Sequence, residues 1–383
     1  MAAPSSSRRG PRAVRRVDDF VRSYTKGFSK KDLQRLFDRD AARAYSVLTR
    51  DQDLGPEPKV GFRLFLYRAR ILFLGLSYKL SPARRVLFAV ALILALVATF
   101  PDIEWSGGER VHFSIDGSPT FFLLSLGLLV FLLALELVDR VRVRDELEVA
   151  RQLQADLLPR DLAAVAGYRF AHSYRTANEV GGDYYDVTPL PDGRLALSVG
   201  DASGHGMAAG LVMAIANATL KTALDLDPAP SLVLRVMNRT LCRTGGKRTF
   251  MSLFYALLDP ETGRLDYVCA GHPYPLLRRA DGTVEELGCG SLPLGLREPL
   301  EVPVFTARLE PGDLLLLFTD GLVEATRGEA GEAFGFERLA AVVAAGGAPQ
   351  RVHDAALRAF DAHVGEEPLR DDLTLLVLGR LPE

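Results

Sequence analysis

The chain has 383 residues, too many for one typical domain, so a second region with a different task is expected beside any catalytic core. Its formal charge of −2 offers no concentrated basic surface, which argues against a nucleic-acid partner. The three cysteines Cys242, Cys269 and Cys289 are widely spaced, which excludes a disulfide framework or thiolate zinc site and fits a reducing compartment.

Residues 1–60 read as a polar tail followed by one or two cytoplasmic helices, with Leu33, Leu36, Phe37, Ala41, Ala44, Tyr45 and Leu48 at helical spacing. The basic N-terminus has no apolar stretch directly behind it, so it does not read as a cleavable signal peptide. Residues 61–138 form a membrane region. Its first part, 62–80, is apolar but carries Arg63, Arg68 and Arg70, and reads as an in-plane interfacial helix; a further span is the alternative. Two apolar runs follow, giving expected transmembrane helices at about 84–103 and 120–138, each long enough for a hydrocarbon core of roughly 30 Å. A buried core helix is the alternative for each. Lys79, Arg84 and Arg85 precede the first run and Arg140, Arg142 and Arg144 follow the second, whereas the connecting loop holds Asp102, Glu104, Glu109 and Asp116 against Arg110 alone. The positive-inside rule then places both termini in the cytoplasm and makes the chain a multi-pass protein of the cytoplasmic membrane, in contact with lipid.

Residues 139–159 read as a linker helix closed by Pro159. Val143, Leu147, Ala150, Gln154 and Leu157 follow a heptad seam that either pairs two copies as a parallel coiled coil or packs on the chain's own catalytic domain. Residues 160–383 alternate short apolar runs with turn signals and read as an α+β domain. Asp183 opens one run after Gly181 and Gly182, Asp201 closes another, and Pro191-Asp192-Gly193 lies midway as a hairpin turn, so the two carboxylates should nearly face each other. The run 314–318 ends in Thr319-Asp320-Gly321, and Asp371-Asp372 opens the run 373–378. If these strands share one sheet, its edge gathers Asp183, Asp201, Asp320 and Asp371. Such a set of hard oxygen donors points to magnesium or manganese rather than zinc. His205 and His272 read as turn or core residues, and Arg175 as an exposed loop residue that could otherwise hold phosphate.

Taken in order, Arg151-Gln152-Leu153-Gln154, Leu157-Leu158-Pro159, Glu179-Val180-Gly181-Gly182-Asp183-Tyr184-Tyr185-Asp186, Gly200-Asp201-Ala202-Ser203-Gly204-His205-Gly206, Ala270-Gly271-His272-Pro273, Pro293-Leu294-Gly295, Phe318-Thr319-Asp320-Gly321 and Asp371-Asp372-Leu373-Thr374 carry a resemblance. Over about 150–378 the chain resembles the bacterial, PPM-type branch of metal-dependent type 2C protein serine/threonine phosphatases, the branch of stress-response and sporulation regulators. One departure is Thr176, where the family's pattern has proline. The resemblance implies an antiparallel β-sandwich flanked by helices, here behind a transmembrane hairpin and linker helix. It implies two manganese or magnesium ions: Asp201 bridging both, the Ala202 carbonyl completing one site, Asp320 and Asp371 holding the other, and Asp183 in contact directly or through water. Asp372 would support the ligands without touching metal. It also implies a phosphorylated regulatory protein as substrate, a STAS-type anti-sigma-factor antagonist. The competing readings are a catalytically inactive membrane scaffold and, from Gly181-Gly182-Asp183, a diguanylate cyclase.

Overall fold

The computed structural model describes residues 61–99, 103–106, 112–115, 119–159, 161–244, 249–328, 331–365 and 367–382. The expected tail and helices of residues 1–60 lie outside them. The chain divides into two compact units, Met1–Arg140 and Val141–Glu383.

In the first unit, helix α1 (Phe62–Lys79) is followed by α2 (Pro82–Thr99), the hairpin strands β1 (Ile103–Ser106) and β2 (His112–Ile115), and the start of α3 (Pro119–Leu157). The segment expected at 62–80 is thus helical over Phe62–Lys79. The helix expected at 84–103 ends earlier, at Thr99, because Pro101 has no amide hydrogen and restricts the residue before it; Ile103 already belongs to β1. The second expected span and the linker are one uninterrupted helix of 39 residues, opened by Pro119 at its first turn and stopped before Pro159. Within the unit, Ser125 Oγ donates to the Ala91 carbonyl at 2.7 Å, which joins α3 to α2. Arg84 pairs with Asp139 at 2.6 Å and Glu136 at 3.4 Å, so the one acid inside the second apolar run has a counter-charge.

The second unit contains β3 (Tyr168–Arg175), β4 (Asp183–Pro189), β5 (Leu195–Ala202), α4 (Met207–Leu226), α5 (Pro230–Thr244), β6 (Met251–Leu258), β7 (Arg264–Ala270), β8 (Leu276–Arg278), β9 (Val284–Glu286), β10 (Phe305–Arg308), β11 (Leu314–Phe318), the single turn α6 (Asp320–Val323), α7 (Gly335–Ala345), α8 (Pro349–Val364) and β12 (Leu373–Arg380). Two antiparallel five-stranded sheets result, ordered β10-β7-β6-β5-β4 and β3-β12-β11-β8-β9. Strand β11 and most of β12 are apolar and buried because both of their faces are covered. Along β11 and β12, Leu315, Leu317, Leu376 and Leu378 enter the core shared with the first sheet, while Leu314, Leu316, Phe318, Leu373, Leu375 and Val377 meet α7 and α8. This is the period of two that a strand imposes.

Three described helices are long and apolar enough to cross a membrane: α2, α3 and α4. α4 instead packs Ala209, Val212, Met213, Ala216, Leu220 and Ala223 into the sandwich core. Composition alone does not separate a span from a core helix. The last turns of α3 also dock on this unit: Leu158 is buried, and the Leu157 carbonyl accepts from Asn217 of α4 at 2.8 Å.

Candidate metal centre

The hairpin β4–β5 turns at Asp192-Gly193, where Gly193 adopts φ 85° and Asp192 Oδ1 accepts the Arg194 amide at 3.1 Å. Its register pairs Asp183 directly with Asp201. Asp320 and Asp371 do not continue that sheet edge. They sit at the ends of β11 and β12 in the other sheet, so the four acids converge across the sandwich and not along one sheet. The reason is that β11 and β12 bury both faces, leaving a shared end of the sandwich as the place where polar strand termini can meet. Gly181-Gly182-Asp183 accordingly lies at this mouth, away from the hairpin tip where a cyclase signature would need it.

Contacts across the mouth fix the arrangement. Thr319 Oγ and Thr374 Oγ both donate to Asp183 Oδ2, at 2.7 and 2.6 Å, and the Thr374 amide donates to Thr319 Oγ at 2.9 Å. Asp372 Oδ2 accepts the Gly182 amide at 2.5 Å and Oδ1 that of Ala177 at 2.8 Å. Gln154, from the end of α3, accepts the Gly181 amide at 2.9 Å and donates to the Gly181 carbonyl at 2.5 Å. The glycine pair is therefore clasped from both sides. A Cβ at Gly181 would lie 2.6 Å from both Asp372 Oδ2 and the Tyr174 hydroxyl, and one at Gly182 would lie 2.8 Å from the Ala202 carbonyl oxygen and 3.1 Å from Asp201 Oδ1. Only glycine permits this close approach.

Of the two expectations for the heptad seam, Gln154 follows the second and is turned onto the catalytic unit. A seam with its polar member engaged this way does not use that residue to set register. Val149, Leu153 and Leu157 are the apolar residues that the last turns of α3 leave exposed.

The electrostatics are those of acids without a counter-charge. Asp183 is 1% exposed, and burial and the facing Asp201 push its carboxyl well above the usual carboxylate range. Burial, and then Asp320, Asp371 and Asp372, push Asp201 up to about 8. Asp320 is raised by burial and Glu324, and Asp371 by burial, Asp320 and Asp372. Among the described residues no lysine or arginine pairs with any of the four, and no three acids, histidines or cysteines already stand at distances that would enclose one ion. The buried Tyr174 hydroxyl beside them has no hydrogen-bond partner among the described residues. A hard-oxygen set with surplus negative charge and an uncommitted hydroxyl fits a divalent cation with bound water.

The other residues considered from sequence have different places. Arg175 is not an exposed loop residue but the last residue of β3, half-buried and paired with Asp361 at 2.6 Å. His205 is exposed near Asp371. His272 is a core residue, 4% exposed, with Nδ1 2.9 Å from Ser252 Oγ and a pKa lowered by burial to about 3. Sequence reasoning had not singled out Thr319 and Thr374 as partners of Asp183, or Gln154 as the clasp on Gly181. The threonines' one available signal was their place beside an aspartate at opposed strand ends.

Residues 191–381 match the family model described as Stage II sporulation protein E (SpoIIE). The chain is 27% identical over 244 residues to Phosphoserine phosphatase RsbU of Bacillus subtilis, covering 62% of this chain and 71% of that protein. It is 25% identical over 277 residues to Protein IcfG of Synechocystis, covering 65% of this chain but 43% of the relative, so it spans less than half of that protein. Among solved structures, the SiaA-PP2C domain of Pseudomonas aeruginosa superposes with a TM-score of 0.56 at 25% identity, covering 63% of this chain and 98% of that one. The RsbU and RsbW domains of a Mycobacterium tuberculosis protein give 0.50 at 29% identity, covering 59% and 64%.

Proposed function

We propose that this chain, whose C-terminal unit is a PP2C-type phosphatase domain of the SpoIIE branch, is a membrane-anchored, divalent-metal-dependent protein serine/threonine phosphatase. The observation that carries the reading is the convergence of Asp183, Asp201, Asp320 and Asp371 from two sheets without a cation of the protein's own.

In this reading Asp183, Asp201, Asp320, Asp371 and the Ala202 carbonyl would hold manganese or magnesium. Two such ions would supply Lewis acidity and an activated water for attack on phosphorus. Asp183 stands at the buried floor, and the paired threonine hydroxyls fix which of its oxygens remains available. Asp372 and Gln154 hold the glycine pair, and through it the start of β4, in register. No protein nucleophile is required, which agrees with the lack of any reactive cysteine or Ser-His-Asp arrangement among the described site residues. The substrate would be phosphoserine or phosphothreonine of a cytoplasmic regulatory protein, with a STAS-type anti-sigma-factor antagonist as the leading candidate. Support for the phosphoserine reading is the similarity to RsbU, a named phosphoserine phosphatase.

α2 and the first half of α3 would form the membrane hairpin, with both termini in the cytoplasm. The exposed stripe Val149, Leu153 and Leu157 would pair two copies. The test of the central reading uses the detergent-solubilised chain: hydrolysis of an aryl phosphate and a phosphoserine peptide should require manganese or magnesium and stop in chelator. Metal-independent hydrolysis would overturn the mechanism, and no hydrolysis under any metal would favour the scaffold reading.

A further inference from the structure

A cleft of about 470 Å3 opens between the loop after β7, the end of β9 and the first turn of α7. Its wall is linked to both halves of the acidic centre through intervening side chains. His272, in its wall, holds Ser252 Oγ at 2.9 Å, and Ser252 Oγ in turn accepts the backbone amide of Asp201 at 3.3 Å. Opposite stands Phe336, whose ring centre is 6.1 Å from that of Phe318, two residues before Asp320. Phe336 is 49% exposed and so presents ring surface at the cleft. Tyr274 adds a second aromatic surface.

Glu286 is the one charged side chain among the described residues that line the cleft. It is exposed and makes no ion pair among the described residues, whereas its neighbour Glu285 is held by Arg279 at 3.0 Å. Two aromatic faces and an unpaired carboxylate form a receptor for a cation: the ring faces attract positive charge, and the carboxylate offers a charge-assisted hydrogen bond. The uncompensated acids of the adjoining centre add long-range attraction for the same sign of charge. An extended peptide advances about 3.3 Å per residue, so moving a lysine or arginine stepwise from the phosphorylated residue measures the distance to the cleft.

We propose that this cleft receives a lysine or arginine side chain of the phosphoprotein, from the segment that carries the phosphorylated residue, and thereby selects substrates. The assignment rests on the phosphatase reading above. Glu286 and Phe336 are specificity residues and take no part in the chemical step.

The test uses the detergent-solubilised full chain with manganese, an aryl phosphate, and phosphoserine peptides identical except for one lysine or glutamate moved stepwise along either side of the phosphoserine. At one or two positions lysine should raise kcat/KM about fivefold over glutamate, chiefly through KM. Glu286→Lys should reverse that ranking, and Phe336→Ala should flatten it. Glu286→Gln, which keeps the side chain's size, should also flatten it and guards against a folding defect in the other two. If the parent hydrolyses the aryl phosphate but ranks the peptides equally, or if the ranking survives all three substitutions, the cleft is not a basic-residue subsite and the phosphatase reading still stands. If the parent hydrolyses no aryl phosphate, the phosphatase reading fails and the cleft assignment falls with it.

Discussion

Two sets of buried or half-buried carboxylates occupy the catalytic unit, and the fold treats them in opposite ways. Asp186 and Asp313 are supplied with counter-charge from within the chain. Asp186 accepts from the Tyr184 hydroxyl at 3.1 Å and pairs with Lys221, while Asp313 pairs with Arg279 at 3.0 Å and accepts the amides of Ala280 and Glu310, both at 2.9 Å. Asp183 accepts two threonine hydroxyls and faces Asp201, and no lysine or arginine pairs with either acid among the described residues. Burying an ionised group without a partner is expensive, so the first pair reads as structural and the second as waiting for charge from solution. The difference lies only three residues apart on β4.

The largest effect should come from removing an uncompensated acid. Asp201→Asn or Asp320→Asn is expected to lower kcat on an aryl phosphate at least ~100-fold while the circular dichroism spectrum and melting curve stay near those of the parent. Near-parent activity in chelator would erase the distinction between the two sets. The compensated set should behave in the reverse way. Arg279→Ala leaves Asp313 buried without its cation and is expected to cost roughly 2 kcal/mol of stability in denaturant titrations, with the rate per folded molecule retained.

A smaller effect is expected where the uncompensated set is held in place. Gln154→Ala removes both hydrogen bonds to Gly181 and should cost about 1 kcal/mol in stability. It should also raise the manganese concentration needed for half-maximal activity; an unchanged metal requirement would mean that the clasp on Gly181 serves packing alone.

The mildest difference is one of pH. Asp201 stands at about 8 in the folded chain against an ordinary value of 3.8, so without metal the folded state holds this proton more tightly than the unfolded one. Its contribution to stability is complete below about pH 4 and is lost as pH rises through about 8. In chelator the melting temperature should therefore fall across that window, and manganese should raise it most at the upper end. A flat profile in chelator would place the acids farther from one another than this fold does.

The sequence by itself determined what local rules control. Proline positions set the limits of α3, and the turn Pro191-Asp192-Gly193 together with the alternation around it set the register that opposes Asp183 and Asp201. The apolar runs of α2 and α3 were likewise legible from composition and length. Tertiary structure alone decided the rest. The runs of β11 and β12 are apolar on both faces and so carry no record of which sheet they join; that Asp320 and Asp371 approach from the opposite sheet follows only from the packing of the sandwich. α4 has the composition of a membrane span and becomes a core helix because β4, β5 and α5 are there to cover it. Gln154 satisfied a heptad spacing equally well, and its amide became a clasp on Gly181 because a backbone amide and carbonyl from 27 residues later meet it at hydrogen-bonding distance. Periodicity and turn chemistry act over neighbouring residues, whereas these assignments depend on which distant surfaces exclude water together.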